Sequence, residues 1–60
     1  MSTEQAAAWA ARAVDTVLDQ METGQTPNAA DVLAANVALF AAERDGIPAA
    51  DWQRHLRPRG

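Results

Sequence analysis

Between Ala29 and Ala42 only Asp31 and Asn36 are polar, and no alternation of period two runs through the stretch. A run this long, rich in alanine and leucine, reads as a helix. At 100° per residue Leu33, Val37 and Phe40 gather on one side, extended by Ala30, Ala34 and Ala41. Val32 and Leu39, next to Ala35 and Ala42, fall about 100–140° away on a second side. A helix apolar on two sides is normally buried on two sides. One face can pack on a neighbouring helix of the same chain, and the other needs a surface that the chain does not supply.

The rest of the sequence offers one neighbour. Ser2 and Gln5 form a reciprocal capping pair ahead of a helix running from Thr3 to about Glu22. Glu4 in its first turn suits the positive end of the helix dipole. Ala7, Ala10, Val14, Val17 and Met21 make a seam with spacings of three and four, widened by Ala13 and Leu18. Thr23 and Gly24 close this helix, with Gly24 as the left-handed cap. The connector 24–27 is short enough to set the two helices side by side and antiparallel. The second helix opens at Pro27 or Asn28, with either Thr26 or the pair Asn28 and Asp31 as its cap. It runs to about Asp45, where Gly46-Ile47-Pro48 is a compound stop. A short third helix over 48–56 carries Ala49, Trp52 and Leu56 on one side, and 57–60 is a frayed basic tail.

Size sharpens the argument. A chain of sixty residues buries only about 60% of the surface its unfolded form exposes, so a lone core is marginal. Chains this small recruit disulfides, a metal or a second subunit. Cysteine is absent and His55 is the only histidine, which removes disulfides and thiolate metal sites. The expectation is therefore an all-α hairpin with a short third helix, paired as a homodimer into a four-helix bundle with a closely approaching, alanine-rich core. In outline this resembles the small dimeric hairpins of plasmid copy-number regulators. The resemblance is one of architecture and implies no residue role and no activity.

Catalysis has little to stand on. There is no Gly-rich phosphate loop, no HExxH, no GxSxG and no cysteine pair. Asp51 and His55, four apart, read as a local pair on a solvated helix, since a metal wants three or four ligands. Asp15, Asp19 and Glu22 read as a solvated acidic stripe. No catalytic residue, metal or cofactor is expected.

The candidate sites are surfaces. Val32, Ala35, Asn36, Leu39 and Ala42 form the face of the second helix expected to meet another copy of the chain or a larger protein. Asn36 either fixes the register of that contact or points to water at its edge. Trp9, amid alanines, is either a partner's anchor or a packing mate of Trp52 or Leu56. Residues 1–51 hold all eight acids and two of the five arginines, a net charge of −6, whereas 52–60 hold three arginines and no acid. Arg54, Arg57 and Arg59 could grip phosphates through paired tails, although nucleic-acid binding usually rests on about 6–10 contacts. Against a DNA-reading helix stands the second helix itself, which offers Val32, Ala35, Leu39 and Ala42 where Arg, Lys, Asn or Gln are needed.

The functional expectation is a small non-catalytic protein–protein interaction module: a regulator, adaptor or inhibitor of the kind phages and mobile elements encode. The alternatives are a nucleic-acid-binding regulator and a small structural subunit of a larger enzyme. The acidic, unbasic N-terminus, the lack of a long apolar run and the lack of cysteine place the expectation in the cytoplasm and away from membranes.

Overall fold

The structure, a computed structural model, describes residues 2–58. It contains three helices, α1 (Thr3–Glu22), α2 (Ala29–Arg44) and α3 (Ala49–Gln53), and no strand among the described residues. The two long helices pack together as a hairpin and α3 folds back onto α1.

Local chemistry explains the ends of each helix. The Gln5 N–H donates to Ser2 Oγ at 3.1 Å, and the Ser2 N–H donates to Gln5 Oε1 at 3.2 Å. Two of the donors left open at the helix start are thereby met. α1 and α2 stop in the same way. Gly24 (φ 81°) and Gly46 (φ 77°) adopt the left-handed conformation that glycine enters without a Cβ penalty. Behind them Gln25 N–H reaches back to Gln20 C=O and Ile47 N–H to Ala42 C=O, each at 2.9 Å. With the companion bonds Gly24 to Met21 and Gly46 to Glu43, these are two Schellman closures. Ile47 is buried against the core that holds Ala42, which is the hydrophobic contact such a closure favours.

Asn28, and not Thr26, caps α2: its side chain accepts from Ala30 N–H at 2.8 Å. The reason lies on α1. Gln20 Oε1 accepts from the Asn28 N–H at 2.5 Å, and Gln20 Nε2 donates to Asp31 Oδ2 at 2.6 Å. One amide from the first helix thus does for the second what its own third residue would do in a capping box. It also turns Asp31 towards α1.

That rotation decides the core. Ala35, Ala38 and Ala42 follow Asp31 at four, seven and eleven residues, and all three are buried. Ala38 and Ala42 meet Ala7 and Ala10 of α1, with Ile47 at the end and Ala6, Ala13, Leu39 and Trp52 packed around. Apart from Ile47, every buried hydrophobic residue among those described is alanine. Small side chains let two helix backbones approach closely, so shape complementarity replaces side-chain bulk.

Two expectations change here. Val32, Ala35, Leu39 and Ala42 were assigned to a spare face of the second helix. In the structure Ala35 and Ala42 are buried inside the hairpin, Leu39 packs on the same core and Val32 is only partly exposed. The acidic stripe also divides, because Asp15 is 93% removed from solvent.

Candidate interaction surface

α2 turns three of its large apolar side chains outward. Leu33, Val37 and Phe40 keep 64%, 54% and 68% of their surface exposed. They sit opposite the alanine face, because a stripe displaced by two residues along a helix is rotated by about 200°. With Ala30 before them and Arg44 after, the spacing is 3-4-3-4, the seam of a coiled coil. Asn36, Val37, Phe40, Ala41 and Arg44 line a shallow groove on this side. Four of them, Val37, Phe40, Ala41 and Arg44, stand at i, i+3, i+4 and i+7. Neighbours with that spacing on one helix form the four-sided hole that receives a knob from a facing helix. Of the residues expected at the interaction surface, Asn36 is exposed beside this seam and Trp9 is exposed on α1, outside the core cluster. Trp52 occupies the core edge without it.

The basic C-terminal segment is engaged within the chain. The Arg57 N–H donates to both oxygens of the Asp15 carboxylate, at 3.2 and 3.4 Å. The Arg57 guanidinium donates through Nη2 to Asp19 Oδ2, and its Nε lies 4.0 Å from Asp15 Oδ2. Further back, Arg54 Nη2 is 3.9 Å from Glu4 Oε2. His55 Nε2, shut off from solvent, lies 3.1 Å from Glu4 Oε1 but not in line for a hydrogen bond. The expected Asp51–His55 pair gives way to this arrangement because α3 ends at Gln53. Beyond it His55 N–H and Leu56 N–H bond three residues back, in turns that carry the chain along α1. Arg57 is therefore part of a clasp and not of a frayed tail, while Arg59 and Gly60 lie outside the described residues.

Sequence reasoning missed Asp15 and Gln20. Nothing local marks either one: Asp15 depends on a donor 42 residues away and Gln20 on partners 8 and 11 residues away. Among the described residues no three His, Asp or Glu side chains are grouped to hold a metal ion. None of the helices is long and apolar enough to cross a membrane. No protein-family model matches this chain, and neither a curated protein nor a solved structure does.

Proposed function

We propose that this chain is a non-catalytic protein–protein interaction module whose working surface is the outer face of α2. The observation that carries the reading is the exposed seam of Leu33, Val37 and Phe40 on a helix already buried on its opposite side. Fully burying such a side chain is worth about 1.5–3 kcal/mol, so at these exposures about 1–2 kcal/mol per residue remains to be gained from a partner. The spacing asks for a helix, since Val37, Phe40, Ala41 and Arg44 of the groove stand at i, i+3, i+4 and i+7, the frame that receives a knob from a facing helix. A dimeric four-helix bundle is the simplest assembly with that property. A regulator, an adaptor or a subunit of a larger complex would act through the same face. The nucleic-acid alternative is weakened, because Arg54, His55 and Arg57 are each set against carboxylates of α1.

The test is Val37→Asp. A charge in the middle of a spare face should leave the isolated fold intact, with unchanged helical circular dichroism and melting in dilute solution. A variant that unfolds at concentrations where the unaltered chain is monomeric would show that this face belongs to the hairpin's own core, and the reading would fall.

A further inference from the structure

We infer that the occupant of the α2 seam is the seam of a second copy, docked antiparallel about a two-fold axis close to Val37. The inference rests on the interaction-module reading and adds the partner, its direction and its register.

The face is complementary to itself. A two-fold interface brings each surface patch against its own copy, so one helix has to carry both the knob and the hole. α2 does so. The hole is bounded by Val37, Phe40, Ala41 and Arg44. The most prominent aliphatic side chain of the seam, Leu33, lies about two turns before the centre of that hole. With the axis near Val37, antiparallel docking sets residue 33 of each copy opposite residue 41 of the other. Leu33 then enters the hole, and Phe40 lies over the small residues Ala30 and Ala34 of the other helix. A large side chain against small ones on both sides of the axis is the interdigitation a tight helix pair requires.

Direction follows from the ends. α2 has Asp31 in its first turn and Arg44 in its last. A parallel pair would bring Arg44 against Arg44 at the end of the seam, and like charges across a seam are unfavourable. An antiparallel pair separates the two arginines by the length of the helix and opposes the helix dipoles. Because α1 covers the other side of each α2, the two α2 helices become the inner pair and the acidic flank of each α1 stays outside. The seam carries no acid in a chain of net charge −3, so self-repulsion is kept away from the contact. Three half-exposed side chains per copy make a small interface, so the dissociation constant is expected on the order of micromolar or weaker.

The absence of cysteine makes the register directly readable. Single cysteines are placed at residue 33, 37 or 41, with Gln25→Cys as an exposed control off the seam, and the chains are oxidised mildly at a concentration where sedimentation gives twice 6.4 kDa. Val37→Cys should crosslink to itself, about tenfold faster than the control, because docked thiols meet at a high effective concentration. Leu33→Cys and Ala41→Cys should each fail alone, since like residues stand roughly 12 Å apart along the axis and a disulfide reaches only about 7 Å between Cα atoms. Mixed, those two variants should give the heterodimer. Self-crosslinking of Leu33→Cys as fast as Val37→Cys would mean parallel pairing and overturn the inference. No crosslink above the control, with a mass of 6.4 kDa at all concentrations and a folded Val37→Asp, would overturn the second copy as partner while leaving the module reading intact. An unfolded Val37→Asp would remove both.

Discussion

The clasp between Asp15 and Arg57 gives the sharpest quantitative test of the fold, because its two halves should carry unequal weights. Asp15→Ala removes the acceptor of the Arg57 N–H and the carboxylate 4.0 Å from its Nε. Hydrogen bonds to charged groups contribute about 1.5–3 kcal/mol, and at 3.2–3.4 Å the lower end of that range applies. Alanine recovers part of this through its better helix propensity, roughly 0.5 kcal/mol. The net loss should be about 1–1.5 kcal/mol, a large share of the roughly 3–9 kcal/mol available to a chain of this size. Arg57→Ala keeps the backbone N–H and removes only the side chain beyond Cβ, which is 60% exposed. Exposed ion pairs are worth about 0–1 kcal/mol, so its effect should be the smaller one. The double variant should then cost no more than the sum of the two, and less where Asp15 is the shared partner. Urea unfolding followed by circular dichroism measures all three. In about 1 M salt the Arg57→Ala effect should shrink, because screening acts within about 3 Å, while the Asp15→Ala effect should persist. Equal losses for the two single variants, or an Asp15→Ala loss below about 0.5 kcal/mol, which is the ordinary range of surface substitutions, would refute the clasp.

Two further substitutions probe the helix pair. Ala38→Leu puts four-carbon bulk where the alanine is 1% exposed against α1, and should destabilise by about 1–3 kcal/mol through overpacking; a melting temperature unchanged or raised would show that the helices are not in close contact there. Gln20→Ala deletes the acceptor of the Asn28 N–H and the donor to Asp31, and should cost about 1–2 kcal/mol with fraying confined to the first turn of α2, read by amide hydrogen exchange at residues 28–31.

What could be read from the sequence was whatever its own neighbours decide. The start of α1 needed only Ser2 and Gln5, and the stops of α1 and α2 needed only a glycine in left-handed conformation and the residue after it. All of these act within six residues, so spacing along the chain reports them. The hairpin followed from the shortness of the connector. The rotation of α2 about its own axis did not follow, because periodicity defines two faces without saying which one a partner covers. Bulk suggests that Leu33, Val37 and Phe40 face inward. The structure turns them out, because the inner face of α1 is lined by Ala7 and Ala10 and because Gln20 holds Asp31 on the α1 side. The sequence left the cap of α2 open between Thr26 and Asn28 for the same reason, since the contact that favours Asn28 comes from another helix. Asp15 was read as solvated because no signal within α1 foretells a donor from Arg57.

The division of labour between small and large side chains bears on how such a chain can evolve. A hairpin held by alanine contacts is sensitive to any added methylene in the contact and indifferent to bulk on the far side of the same helix. Selection on association can therefore act through Leu33, Val37 and Phe40 with little effect on the fold of one copy, so long as polarity is kept moderate. The converse also holds. An alanine core removes little apolar area from water per residue, so the remaining stability has to come from closures that need no bulk. The two Schellman turns, the Gln20 clamp and the Asp15 clasp are of that kind. In the proposed pairing, covering the outer seam would add to this by mass action, in proportion to the logarithm of concentration over the dissociation constant. The exposed seam thus links two facts that otherwise stand apart, the weakness of the core and the waste of three large side chains in water. The proposed pairing would resolve both in a single step.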